Sequence, residues 1–204
     1  MVFPDNQFSS RDVDILERKT VYQGFFRMEK LRLRHRLFDG GWSEPIVREL
    51  FVRGTAVGVL PYDPKNRLVG LIEQFRIGAI EEDSNPWLLE LVAGMCDAGE
   101  DPQCAAHREL QEEAGLTNVE LHSIGECWVS PGGTNEKIHL YCGVVDLENA
   151  GGTFGLLEEE SEDIRFHVVP EDAAFEAMER GRCNNSATMI GLLWLQQNRH
   201  KLEK

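Results

Sequence analysis

The sequence predicts an α+β fold: an α/β/α sandwich around a mixed β-sheet, preceded by an N-terminal antiparallel strand unit. Three observations predict it. The first half of the chain is a succession of short strand-like runs. At Asp101 the hydrophobic period changes from that of a strand to that of a helix. Strands then resume, and two helical stretches close the chain.

Residues 21–38 form the first strand-like stretch, with Tyr22, Phe25, Met28, Leu31, Leu33 and Leu37 set among basic residues. Asp39-Gly40-Gly41 then supplies a turn. Strands follow at 46–51, 55–61 and 67–75, the last two joined by Tyr62-Asp63-Pro64-Lys65-Asn66, which has hairpin-loop chemistry. Residues 87–92 are a further short apolar run. Asp101 is a helix N-cap, Pro102 stands at the first helical position and Gly115 closes the far end; Ala106, Leu110 and Ala114 mark the buried stripe between them. Residues 119–129, 137–145 and 164–169 read as strands, with Pro131-Gly132-Gly133 as the loop between the first two. Pro170 opens a helix that runs through Glu179 and ends at Gly181, and a last helix spans about 186–200. The domain organisation follows as a strand unit over 1–45 and a main domain over 46–204.

Of 204 residues, 35 are Asp or Glu and 21 are Lys or Arg, a formal charge of −14. Such a surface repels nucleic-acid phosphates and anionic lipid, so neither nucleic acid nor membrane is an expected partner. A small phosphorylated substrate stays open where cations offset the repulsion. The N-terminal 20 residues mix charges with apolars and show no signal-peptide core, and the apolar stretch 187–195 is too short for a membrane span. The five cysteines include no Cys-x-x-Cys pair. Free thiols in a reducing cytoplasm are the expectation.

The informative segment runs from Gly94 through Glu100 to Arg108-Glu109-Leu110-Gln111-Glu112-Glu113-Ala114-Gly115-Leu116. On a helix, Glu112 and Glu113 lie at about −60° and about +40° around the axis from Glu109, so three carboxylates share one exposed face. Like charges at such spacing repel by up to ~4 kcal/mol per pair at 4 Å and an effective dielectric near 20. Solvent screening is one remedy. A hard divalent cation held by oxygen ligands is the other, and the flanking loop glycines Gly94 and Gly99 let backbone carbonyls approach the same face.

This segment resembles the Nudix box, Gly-x5-Glu-x7-Arg-Glu-U-x-Glu-Glu-x-Gly-U with U apolar, and meets all nine specified positions. The chance of such a match in a chain of this length is on the order of 10⁻⁷. The resemblance implies the Nudix fold and a hydrolase that cleaves a nucleoside diphosphate linked to another moiety, using Mg²⁺ or Mn²⁺. By matching position, Glu109 and Glu113 are metal ligands, Glu112 stands beside them as a further ligand and catalytic group, and the carbonyl of Ala93 completes the set before Gly94. Glu100 and Arg108 are structural supports, the arginine tying the loop carboxylate to the helix. The metal ions neutralise the pyrophosphate oxygens and activate water. A base outside the metal ring takes the proton, and the acidic run Glu158-Glu159-Glu160-Ser161-Glu162-Asp163 is its best source.

The likeness extends to Arg48-Glu49-Leu50-Phe51, Gly54, Glu73-Gln74-Phe75-Arg76, Trp87-Leu88-Leu89-Glu90 and Ser130-Pro131-Gly132-Gly133-Thr134. These segments are similar to those of ADP-ribose pyrophosphatases of the Nudix superfamily, the bacterial enzymes most closely, over roughly residues 20–200. The resemblance makes Glu162 the loop base that also approaches the metal, with Glu160 as second choice. Near Leu157-Glu158-Glu159 the loop is one residue longer than the family pattern, which leaves both in play. Arg48 and Arg76 become phosphate and ribose contacts. Ser130 of the glycine loop joins them, Glu136 is the residue a partner subunit offers to the terminal ribose, and Phe25 (with Phe26) stacks on adenine. Read alone, the arginines are surface ion-pair members and the phenylalanines core strand residues. The resemblance further implies a homodimer in which the N-terminal strands lie across the partner. The expected reaction is hydrolysis of ADP-ribose to AMP and ribose 5-phosphate. The alternatives are a related sugar-nucleotide pyrophosphatase, such as one for GDP-mannose, and a non-catalytic nucleotide-sensing domain.

Overall fold

A computed structural model describes residues 5–80, 85–155 and 163–202. It divides into two compact units, one comprising the chain up to Gly54 together with residues 128–136, the other comprising 55–127 and the chain from Lys137 onward.

The first unit is built on a three-stranded antiparallel sheet of β1 (Val13–Gln23), β2 (Arg27–His35) and β3 (Ile46–Val52), in that order. The stretch read as one strand from 21 to 38 is thus two, folded back at Gly24-Phe25-Phe26, and the first of them begins well before Tyr22. The reason is burial: all but one of the side chains of β1 are exposed, so no apolar alternation announces the strand. Glu29 is buried on β2, paired with Arg27 at 3.1 Å and Arg18 at 3.5 Å. Arg34 and Arg36 lie over the Trp42 ring at 4.8 and 4.5 Å.

The second unit carries a mixed sheet. Its strands are β4 (Thr55–Asp63), β5 (Leu68–Phe75), β6 (Trp87–Glu90), β7 (Val92–Met95), β8 (Glu120–Trp128), β9 (Lys137–Val144), β10 (Gly152–Phe154) and β11 (Ile164–Pro170). The order is β10-β11-β5-β4-β9-β8, with β6 added to β5 and β7 to β4. β4 and β9 run parallel; β4–β5, β5–β11 and β10–β11 are antiparallel. The apolar run 87–92 breaks into two strands at Leu91, whose N–H leaves the ladder for the Thr188 hydroxyl at 2.9 Å. The short strand β10 lacks a sequence signature because two of its three residues are exposed and it begins at a glycine.

Helices cover both faces of this sheet, giving the α/β/α arrangement. α1 (Pro102–Ala114) buries Ala105, Ala106, Leu110 and Ala114 against Val57, Val59, Ile72 and Phe166. Asp101 caps it, accepting from the N–H groups of Gln103 (2.9 Å) and Cys104 (3.4 Å), and Gly115 ends it at φ 65°. α2 (Glu171–Glu179) and α3 (Ser186–Asn198) bury Ala174, Phe175, Leu192 and Leu195 against Leu60, Leu71 and Leu140 on the other face. Glu171, almost wholly buried, accepts hydrogen bonds from Tyr62 (2.8 Å) and Arg67 (2.7 Å) and pairs with Arg199, which pins α2 to the sheet and to the C-terminal turn.

Candidate active site

In the second unit the site is built on the meeting of β7 with α1. Glu109 and Glu113 lie one turn apart on α1. The sequence put them on an exposed face, and the structure corrects this: they are 8% and 5% exposed, and only Glu112 faces outward. Their burial follows from the strand beneath them. Gly94 leaves room where a side chain would stand, and an added Cβ there would fall 1.9 Å from Glu109 Oε1. One residue earlier, the N–H of Ala93 donates to Glu113 Oε2 at 2.9 Å.

Arg108 organises the charges around them. Its Nε and Nη2 donate to Glu100 at 3.2 and 3.1 Å, and Nη2 also reaches the Met95 carbonyl at 3.0 Å. Its Nη1 donates to Glu109 at 2.7 Å and Glu112 at 3.0 Å. The hydrogen bonds to Glu100 above all, with the neighbouring glutamates adding to them, hold the guanidinium above its ordinary pKa. Glu100 is held below the usual carboxylate range by Arg108 and by the N–H of Asp97. Arg76, at the end of β5, is paired with Glu90 at 2.6 Å. Glu90 stands in a segment quoted above for its likeness, but its role as partner to Arg76 is visible only in the β5–β6 pairing.

The first unit holds the other sequence-predicted residues. Phe25 projects from the β1–β2 turn with 94% of its surface exposed, its ring edge-on to Phe26 at 4.8 Å. Arg48 is exposed on β3 and its Nη1 bonds the Val47 carbonyl. The carbonyl of Ser130 accepts from the N–H groups of Gly133 and Thr134, closing the glycine loop. Glu136 is ion-paired with Arg53 at 3.1 Å. Arg53 carries no motif, and sequence reasoning passed over it. Glu160 and Glu162 lie outside the described residues.

The NUDIX domain model matches residues 52–185. The chain belongs to the Nudix family. It is 46% identical to an ADP-ribose pyrophosphatase of Haemophilus influenzae over 97% of this chain and 92% of that protein. An Escherichia coli ADP-ribose pyrophosphatase is 44% identical over the whole of this chain and 98% of its own length. A GDP-mannose pyrophosphatase of Escherichia coli is 31% identical over 74% of this chain and 78% of that protein. A crystal structure described as an ADP compounds hydrolase shares the fold, with a TM-score of 0.70 at 20% identity, covering 97% of this chain and 100% of that one.

Nudix ADP-ribose pyrophosphatases generally use divalent metals. Among the described residues, no three His, Cys, Asp or Glu side chains stand ready assembled around a metal position. The donors that are present nevertheless fit a hard cation. Two buried carboxylates share a helix face, and the open cradle at Gly94 admits the Glu109 carboxylate to the strand. Glu109, Glu113 and the Ala93 carbonyl would hold the ion, with Glu112 at the exposed rim. A divalent ion there would neutralise pyrophosphate oxygens and lower the pKa of a bound water, so that hydroxide becomes available to attack phosphorus. The chain's own part is positional: Gly94 and Ala93 set the two carboxylates, and Arg108 locks the Glu100 loop to α1.

Proposed function

We propose that this Nudix enzyme hydrolyses the pyrophosphate of ADP-ribose to AMP and ribose 5-phosphate with Mg²⁺, or Mn²⁺ in its place. The observation that carries the reading is the extent of the likeness. The resemblance to ADP-ribose pyrophosphatases runs through the N-terminal strand unit as well as the Nudix domain, at 44–46% identity. The likeness to GDP-mannose pyrophosphatase is weaker and covers 74% of the chain. In this reading Glu109, Glu113, Glu112 and Ala93 hold the metal, and Glu162, or Glu160, takes the proton from the attacking water. Arg76, Arg48 and Ser130 hold phosphate and ribose, Glu136 meets the terminal ribose, and Phe25 stacks on adenine.

The same reading makes the protein a homodimer whose N-terminal strands lie across the partner. It is supported by the exposed apolar side chains of the first unit, among them Ile15, Val21, Tyr22, Phe25 and Val47. A cytoplasmic setting suits the five free cysteines.

The test is a panel of nucleoside diphosphate sugars, with and without Mg²⁺. Release of AMP from ADP-ribose at a far higher kcat/KM than release of GMP from GDP-mannose supports the assignment; the reverse order favours the second substrate. ADP-ribose binding without Mg²⁺-dependent turnover would favour a sensor instead.

A further inference from the structure

On the side of the sheet away from α1, the second unit holds an open cavity of about 240 Å³. Its place follows from strand alternation: Ile72 packs toward α1, so Leu71 and Glu73 point to the opposite face, where α2 and α3 lie. The wall is apolar, made by Leu71, Leu89 and Val169 of the sheet and by Ala174 and Ala177 of α2. Protein interiors are packed close to crystal density, and a larger side chain at position 177 would close this space. Alanine leaves it open.

Charged groups converge at the mouth. Arg182, in the turn between α2 and α3, donates from Nη2 to Glu73 Oε1 and from Nη1 to the Trp87 carbonyl at 3.0 Å. His167 Nε2 lies 3.0 Å from the other Glu73 oxygen. Both Glu73 oxygens are thus engaged, and a ligand cation would have to displace Arg182 or His167 to reach them. The guanidinium spends two N–H groups on these bonds and keeps others for an incoming acceptor. An anionic head on an apolar body matches such a rim and wall. The volume lies below the ~300–1,000 Å³ of drug-sized pockets, which excludes a nucleotide or a nucleotide sugar. Free phosphate would leave the apolar wall uncovered.

We propose that this cavity is a binding site for a small monocarboxylate with a compact apolar body, its carboxylate on Arg182 and its body against Leu71, Leu89, Val169 and Ala177. Arginine suits the head, because its planar group offers paired N–H donors to the two carboxylate oxygens. The sheet itself separates this site from Gly94 and Glu109, so its ligand and a nucleotide sugar do not compete.

The probe is hydrocinnamate, followed by amide NMR titration of the full chain, with hydrocinnamamide and phenylpropylamine as compounds that keep the same ring and change the head. Hydrocinnamate is expected to shift the amides of Leu71, Leu89, Val169 and Ala177 saturably, with Kd of about 1 mM or below. It should bind about tenfold tighter than the amide or the amine. Ala177→Leu fills the cavity, and should abolish the titration while melting at or above the wild-type temperature. Arg182→Gln should lower the affinity for the acid to that for the amide. The proposal is overturned by an absence of saturable shifts at these amides, by equal binding of acid and amide, or by tighter binding of the amine. Unchanged affinity for the acid in Arg182→Gln or in a folded Ala177→Leu would overturn it as well. Should Ala177→Leu fail to fold, the three compounds on wild type and the acid on Arg182→Gln still decide.

Discussion

Gly94→Ala isolates the step from backbone to chemistry. The added methyl would sit 1.9 Å from Glu109 Oε1, 2.1 Å from its Cδ and 2.6 Å from Oε2. Real Cβ atoms essentially never come within 3.0 Å of another heavy atom, so the carboxylate must retreat by at least 1.1 Å. The retreat is sterically easy, because the clash is with the end of a flexible side chain. Gly94 also does not use the left-handed region, so alanine takes its backbone without strain and restricts the unfolded chain. Fold and stability should therefore hold, with Tm within about 5 °C of wild type. Activity should not. Misplacing a catalytic group by ~1 Å costs on the order of 10²-fold, or about 2.7 kcal/mol of transition-state stabilisation. The assay is steady-state AMP release from ADP-ribose across a Mg²⁺ titration, beside a melting curve. A variant within threefold of wild type at every Mg²⁺ concentration would show that Gly94 does not place Glu109. Loss of fold along with activity would refute the claim that only the carboxylate moves.

Glu113→Gln should lower turnover by orders of magnitude, since it removes a ligand charge while its amide oxygen can still accept from Ala93 N–H; near-normal kcat would defeat the metal assignment. Glu162→Gln should lower kcat more than it weakens Mg²⁺ binding, and if Glu160→Gln is the damaging change, the base lies two residues earlier. Asp63 accepts from Lys65, Asn66 and Leu147. Burial pushes its pKa up, but the hydrogen bonds from Asn66, Leu147 and Lys65 outweigh it and leave the group below its ordinary value. Its stabilisation is complete above the unfolded value of about 3.9 and is lost as pH falls through the lower folded value. Asp63→Ala should cost about 2 kcal/mol at pH 7 and flatten the acid limb of a urea-unfolding series; a parallel acid limb in wild type and variant would contradict this. Among the thiols, Cys104 is exposed, whereas burial pushes Cys142 up to about 12 and raises Cys183. Mass mapping after a short exposure to a disulfide reagent should find Cys104 modified and Cys142 intact until the protein is unfolded.

What was legible in the sequence depended on how local its cause was. α1 could be bounded to the residue because Asp101, Pro102 and Gly115 act on backbone groups within a turn of themselves. β1 could not, because a strand exposed on both sides leaves no alternation to read. Leu91 looked like the middle of one strand, since nothing local announces that Thr188 will take its N–H. The box singled out three candidate carboxylates but said nothing of their exposure. An angular position on a helix says which residues share a side, not what lies against that side, and Gly94 of β7 decides that for Glu109. Arg53 and Glu136 were invisible as a pair because their meeting depends on residues 128–136 joining the first unit.

The carboxylate face of α1 is unfavourable to its own charges in three separate ways. Glu109, Glu112 and Glu113 crowd one side of the helix, two of them are buried, and all stand in its last two turns, where the macrodipole presents its negative end. Against this the structure sets Arg108, whose guanidinium also serves Glu100, so three carboxylates share it. Packing does not require such an arrangement, for Ala106, Leu110 and Ala114 already anchor the helix. A cation held at this face would relieve the repulsion, and would let a chain of net charge −14 receive a pyrophosphate. The consequence is a sign reversal. Glu113→Gln, the variant expected to lower turnover by orders of magnitude, should melt at or above the wild-type temperature in EDTA and gain less than wild type when Mg²⁺ is added. If it melts lower in EDTA, the Glu113 charge stabilises the fold by itself, and the case for a face built around a metal ion fails.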